Sequence, residues 1–154
     1  PADEVKALRG RFVEHKNIVL ENEKPFLLPD FKSNTFEMKA EFELQNSRGV
    51  GIQVLRSPDG KEKTDIHFDT LNLVLTSGDK QGDFQLLPGE KKLKLHIFVD
   101  RSVVEIYANG RACLTVRTFP KRKDSLGIQV YSKRKAVKVD LELWEMGSMW
   151  ESID

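Results

Sequence analysis

One cysteine, Cys113, stands in a chain of 154 residues, so no intramolecular disulfide can staple this protein. None is needed, because a chain of this length buries roughly 70% of the surface it would expose unfolded. A lone cysteine suits a reducing cytoplasm, and secreted domains without disulfides are also common, so the compartment stays open. No apolar run approaches the roughly 20 residues of a transmembrane helix, and no secretory leader opens the chain, so no membrane partner is predicted. The sequence begins at Pro1, as a fragment or processed product would, so missing targeting signals leave localisation undecided. Charge of one sign is not in excess: 25 Lys and Arg face 24 Asp and Glu, a net of +1. That balance excludes a nucleic-acid binder held by bulk charge. No Asn-x-Ser/Thr acceptor and no glycine-rich phosphate loop occurs. None of His15, His67 and His96 has a partner at metal-ligand spacing, so neither metal nor cofactor is expected.

What is abundant is alternation with a period of two. Phe36, Met38, Ala40, Phe42 and Leu44 alternate with charged residues, as do Val137, Val139, Leu141 and Leu143. Leu93, Leu95, Ile97 and Val99 alternate with Lys94, His96 and Phe98, and Ala112, Leu114 and Val116 with Cys113 and Thr115. Successive side chains on a strand point to opposite faces, so each segment has a core face and an outer face. Further strands are predicted at Val50–Arg56, Thr64–Phe68, Leu71–Leu75, Phe84–Leu87, Val103–Ala108 and Leu126–Tyr131. Turn chemistry separates them. Ser57-Pro58-Asp59-Gly60 and Leu87-Pro88-Gly89-Glu90 combine a proline that presets φ with a glycine that tolerates positive φ. Asn109-Gly110 is the strongest two-residue hairpin signal. Pro25 to Pro29 reads as a loop or edge segment. Asp3 is placed to cap one helical turn through Val5 and Leu8, ending at Gly10. About ten short strands indicate an all-β fold: a two-sheet antiparallel β-sandwich, concanavalin-like, of the jelly-roll type. The whole of 1–154 reads as one domain. Its core is predicted to contain Leu95, Ile97, Val99, Ile106, Leu114, Val116, Ile128, Val139 and Leu141.

Several residues invite a chemical reading. Asp65, His67 and Asp69 share one strand face, as a calcium or acid/base site would, and as a solvated polar face also would. Trp144, Trp150 and Tyr107 are the aromatics best suited to stack on a sugar or to pack under a covering loop or domain. Trp144 lies opposite the apolar face of its strand. The runs Lys121-Arg122-Lys123 and Lys133-Arg134-Lys135 read as solvated loop charges or as an anionic-ligand patch. Ser102, Ser125 and Ser148 lack the base and strained turn of an activated nucleophile. Cys113 is expected to be a buried or semi-buried filler.

The stretch LKLHIFVDRSVVEIYANGRACLTVRTFP, Leu93 to Pro120, carries a more specific signal. Its Phe98-Val99-Asp100, Arg101-Ser102, Val104-Glu105-Ile106-Tyr107, Asn109-Gly110 and Thr118-Phe119-Pro120 resemble the C-terminal β-sandwich module of the invertase, levanase and fructanase family of glycoside hydrolases. The closing Leu141-Glu142-Leu143-Trp144-Glu145-Met146 and Ser148-Met149-Trp150 resemble that family's last strand and terminal tryptophan. Glu4 to Arg9 resembles the linker into the module, and Gly51 through Arg56 to Asp69 its early strands.

The resemblance implies a parent enzyme that hydrolyses β-fructosyl bonds in sucrose, levan or inulin with retention of configuration. It implies that the chemistry belongs to an N-terminal five-bladed propeller of the same parent chain, with an Asp nucleophile and a Glu acid/base. The motifs that carry those groups, Asn-Asp-Pro-Asn, Arg-Asp-Pro and Glu-Cys, are absent here, so no catalytic residue is carried over. Asp100, Arg101, Ser102 and Glu105 are expected to be structural. Asp100 would accept backbone N–H bonds, or an arginine would fork onto a carboxylate, to hold the turn before Val103–Ala108. Residues 1–12 are expected to be a linker or docking segment from the propeller. Two functions compete: a non-catalytic accessory module with homodimer contacts as a further role, and a carbohydrate-binding module for fructan or another oligosaccharide.

Overall fold

A computed structural model describes residues 8–147. The strands run β1 (Arg9–Leu20), β2 (Phe26–Leu27), β3 (Thr35–Glu43), β4 (Gly49–Arg56), β5 (Thr64–Asp69) and β6 (Val74–Ser77). They continue through β7 (Lys80–Asp83), β8 (Lys92–Asp100), β9 (Val103–Ala108), β10 (Ala112–Arg117), β11 (Gly127–Lys133) and β12 (Val137–Met146). Two antiparallel six-stranded sheets form, in the orders β1-β12-β3-β8-β9-β10 and β2-β11-β4-β5-β6-β7. We call them the first and second sheet. This is the all-β sandwich that the alternation predicts, with no helix among the described residues.

The sheets face each other across one apolar layer. Phe36, Met38, Ala40 and Phe42 of β3 meet Val50, Ile52 and Val54 of β4, with Leu93, Ile97, Ile106, Ile128 and Leu141 filling the space between. Leu95, Ile97, Val99, Ile106, Val116, Ile128, Val139 and Leu141 are buried as predicted, while Leu114 is only partly buried. Leu114 lies on β10, the edge of the first sheet, where no further strand closes over it.

The turn chemistry is realised. Asn109 and Gly110 take φ of 48° and 68°, and Arg111 N–H donates to Ala108 C=O at 3.0 Å, closing a type I′ hairpin between β9 and β10. Gly89 takes φ 91° behind Pro88, and Glu90 N–H reaches Leu87 C=O at 2.9 Å. Phe26–Leu27 is a two-residue edge strand between Pro25 and Pro29, where proline's missing donor does no harm.

Four expectations are corrected. Gly10 lies inside β1 and does not end a helical turn; Asp3 and Val5 fall outside the described residues. Residues 71–73 are a turn capped by Asp69, and the strand is Val74–Ser77. The hairpin partner of β6 is Lys80–Asp83, and Phe84–Leu87 leaves the sheet. Cys113 is exposed, because its side chain falls on the outer face of an edge strand opposite Tyr107.

Candidate functional site

The outer face of the first sheet gathers most of the residues that sequence singles out. Register sets Trp144 opposite Glu37, Glu37 opposite Phe98, and Phe98 opposite Glu105. The next row runs Glu142, Lys39, His96, Tyr107 and Cys113. Trp144 packs beside Phe12 of β1 at 5.1 Å between centroids, and the Arg9 guanidinium lies 4.0 Å over its ring. That contact is a cation–π pair, favourable because the ring face is electron-rich. His96, Phe98 and Tyr107 follow as a chain of ring contacts at 4.6 and 6.2 Å. Tyr107 Oη donates to Glu105 Oε2 at 3.1 Å. Burial and this carboxylate push the phenol up to about 12. Trp150 falls outside the described residues.

Beneath Trp144 lies a group that sequence reasoning missed. Glu37 is 0% exposed although it projects from the outer face. Arg9 Nε and Nη2 donate to its two oxygens at 2.7 and 2.8 Å, and His96 Nε2 lies 2.5 Å from Oε2. Burial pushes the carboxyl up, but the bonds and charges of Arg9 and His96 outweigh it and hold it below the usual carboxylate range. Burial, helped by Lys39, lowers His96 below the ordinary imidazole value although Glu37 raises it. At neutral pH the arrangement is therefore Arg⁺, Glu⁻ and a neutral imidazole that donates through Nε2–H, since an ionised carboxylate only accepts. Nothing in the sequence links Arg9 to Glu37. The signal was a glutamate on an otherwise regular strand, which looks like any solvated residue.

The signature segment forms one end of the sandwich. Asp100 closes β8, pairing with Thr35 and Val103. Arg101 takes φ 59°, the first position of a two-residue connection. Arg101 N–H donates to Asn34 C=O at 2.7 Å, and Thr118 N–H to Ser102 C=O at 2.8 Å. Backbone bonds thus hold this turn. The carboxylate bonds expected of Asp100 are not made by Oδ1, which is buried without a hydrogen-bond partner. Two residues on from Phe98, its side chain shares the outer-face parity of β8. Phe119, from the Thr118-Phe119-Pro120 element, is 73% exposed. It rims a cavity of about 380 Å³ that Arg101, Ser102, Pro120 and Leu55 also line.

Arg122 of the first basic run is paired within the chain. Lys121 and Arg122 N–H groups donate to Glu62 at 3.0 Å each, and Arg122 forks onto Asp59 and Asp124 at 2.8 to 2.9 Å. Of the second run, Lys133 ends β11 and Arg134 and Lys135 follow in the connection to β12, all three exposed.

On the second sheet, Asp65, His67 and Asp69 do share a face. Tyr131 Oη donates to Asp65 at 2.8 Å and lies 3.3 Å from His67 Nδ1. Asp69 accepts from Leu71 and Asn72 N–H and from the Asn72 amide, so it caps a turn. Burial lowers His67, with Lys133 adding to it, and burial beside Asp65 raises Tyr131. Gly49 and Gly51 make room for these rings: a Cβ at Gly51 would fall 2.2 Å from the Tyr131 ring, and one at Gly49 2.7 Å from His67. No cluster of three or more His, Cys, Asp or Glu fit to hold a metal ion occurs among the described residues.

Comparison with known proteins agrees with this geometry. Residues 4–145 match the family described as "Glycosyl hydrolases family 32 C terminal". The chain is 26% identical to a levanase of Bacillus subtilis (strain 168), over 97% of its own length and 24% of that protein's. It is 26% identical to a sucrose-6-phosphate hydrolase of Lactococcus lactis subsp. lactis, over 87% of its length and 27% of the other's. It thus spans about a quarter of these relatives. In three dimensions it superimposes on fructan 1-exohydrolase IIa from Cichorium intybus with a TM-score of 0.84, at 16% identity, covering 96% of this chain and 37% of that one. A fructosyltransferase from A. japonicus gives 0.81 at 21% identity, covering 97% of this chain and 29% of the other. The outer-face rows, the Asp100–Ser102 turn and the Thr118–Pro120 element thus sit on a fold and a sequence pattern that agree, and the chain belongs to the C-terminal domain of glycosyl hydrolases family 32.

Proposed function

We propose that this domain is a non-catalytic accessory module of a fructosyl hydrolase acting on sucrose, levan or a related fructan, and that it packs on and stabilises an upstream catalytic propeller of the same parent chain. The observation that carries the reading is the coverage: the match falls on a C-terminal family and takes in only 24% of the levanase. The absence of Asn-Asp-Pro-Asn, Arg-Asp-Pro and Glu-Cys points the same way, since a retaining glycosidase needs two carboxylates on either side of the bond it cleaves. Four of the carboxylates that stand out here are engaged otherwise. Glu37 is held by Arg9 and His96, Asp65 by Tyr131, Asp69 by a turn, and Glu62 by a loop. A glycan-binding role fits less well, because a sugar-stacking platform needs an open ring face and Trp144 has Arg9 over its ring and Phe12 beside it.

The test has two arms. The purified chain, incubated with sucrose, inulin and levan, is expected to release no fructose above a buffer blank. Release that disappears on substituting one of its carboxylates would overturn the proposal. Removing the domain from the full-length parent is expected to lower the melting temperature of the remaining enzyme. A truncated parent as stable as the intact one would overturn the stabilising role.

A further inference from the structure

Two features of the sandwich are unfavourable in the domain taken alone, and both lie at one end. Asp100 Oδ1 is a buried acceptor with no hydrogen-bond partner. Burying such an atom unpaired costs its desolvation with nothing in return. Phe119 holds its ring 73% exposed, the most exposed large apolar side chain among the described residues. A buried group left unsatisfied calls for a partner outside the element.

Register shows that this is also the end where the chain enters. Arg9 opens β1 opposite Met146, the last residue of β12. Thr35 opens β3 opposite Asp100, which pairs with Val103, which pairs with Arg117. The second sheet presents Arg56, Thr64 and Gly127 there, and Thr64 Oγ1 bonds Thr118 Oγ1 at 2.9 Å. Leu55 of β4, Arg101 and Ser102 of the turn between β8 and β9, and Phe119 just past β10 line the same cavity. The Asp100-Arg101-Ser102 and Thr118-Phe119-Pro120 elements, separated in sequence, therefore form a single surface beside the incoming strand.

We infer that this end of the sandwich is the surface that docks the upstream part of the parent chain, with Phe119 as its apolar anchor and Asp100 Oδ1 as an acceptor for a donor on that part. The inference rests on the accessory-module reading above and deepens it. The occupant follows from the connection. Relatives are about four times as long as the matched segment, and a polypeptide leading into Arg9 arrives at this end. A tethered partner meets the nearest surface at high effective concentration, so modest apolar complementarity suffices. Aromatic side chains, Phe among them, are enriched at protein interfaces relative to the rest of the surface.

The experiment uses the full-length parent enzyme, in which Phe119→Ala is compared with Leu71→Ala. Leu71 is 64% exposed and sits in the turn after β5, at the opposite end. Neither substitution removes core packing. The readout is the rate at which fructosidase activity is lost at a temperature just below the melting point, with light scattering for oligomeric state. Phe119→Ala is expected to speed inactivation about tenfold and Leu71→Ala to leave it unchanged. Equal inactivation rates for Phe119→Ala and the unmodified parent would overturn the placement. So would faster inactivation accompanied by dissociation of a dimer, which would assign this end to a second copy. Removal of the whole domain separates the two levels. If truncation destabilises the parent while Phe119→Ala does not, only the placement fails; if truncation changes nothing, the accessory reading fails with it.

Discussion

Glu37 shows how much one residue on an outer face can hold. Its carboxylate is fully buried, and it is kept ionised by a two-pronged bond from Arg9 and a third bond from His96. Removing one partner of a buried ion pair leaves an uncompensated charge, which costs about 3 to 5 kcal/mol. Arg9 is partly exposed, at 21%, so water relieves some of that cost and the low end applies. Glu37→Ala is expected to lower stability by about 3 kcal/mol, roughly a 10 °C fall in melting temperature for a domain of this size. An unchanged melting curve would show that the three groups are individually solvated. Gly51 makes the converse case, where absence of a side chain is the function. Its φ is ordinary, so backbone freedom is not the reason for glycine. A methyl group there would overlap the Tyr131 ring that bonds Asp65. Gly51→Ala is expected to cost about 2 kcal/mol through displaced packing. In a double-mutant cycle with Tyr131→Ala, measured by denaturant unfolding, the two losses should fall short of adding by about 1 kcal/mol. Strict additivity would mean the ring is not the obstacle.

At the scale of elements, the regular strands were legible and the irregular one was not. β3, β8, β9 and β12 keep strict alternation because they lie in the interior of the first sheet with one face buried along their whole length. The Asn109-Gly110 hairpin was legible because only that turn type matches the twist of its strands. β1 escaped notice although it has 12 residues. Its pairing with β12 slips between Arg9 and Phe12 and again between His15 and Ile18, so its apolar residues never hold one parity. Periodicity is a sum over positions, and two register shifts erase it. The second shift centres on Asn17, at φ 56°, whose N–H donates to Asp140 Oδ1 at 2.7 Å. The Arg9–Glu37–His96 cluster was illegible for the same reason, since its geometry depends on the strand that was missed. Asn17→Val should destabilise the domain by about 1 to 2 kcal/mol, because a branched side chain resists positive φ, whereas Asn17→Gly should be nearly neutral. Equal melting temperatures for the two variants would argue that the irregularity relaxes without cost.

For the molecule as a whole, near-equal numbers of acidic and basic groups leave little net field, so its response to pH depends on the few groups whose surroundings differ between folded and unfolded states. His67 and His96, one on the outer face of each sheet, both sit below the ordinary imidazole value of 6.5, in each case chiefly because burial disfavours the charged ring. His67 faces Tyr131, Asp65, Asp69 and Lys133; His96 faces Glu37 and Lys39. As pH falls past 6.5 the unfolded chain binds protons at these histidines while the folded chain does not. The unfolded state therefore gains protons first, and stability falls with pH until the lowered folded values are passed. Glu37 adds a second, more acidic window. Its contribution is complete above the unfolded value of 4.5 and is lost as pH falls through its lower folded value. The melting temperature should accordingly be level above roughly pH 7 and decline in two stages on acidification. Replacing both histidines by glutamine should flatten the first stage, which begins as pH falls through 6.5, and leave the second. Melting curves taken across that range on the double variant decide the matter. A decline of unaltered slope through that stage would place the acid sensitivity in other groups and overturn the assignment to the two half-buried imidazoles.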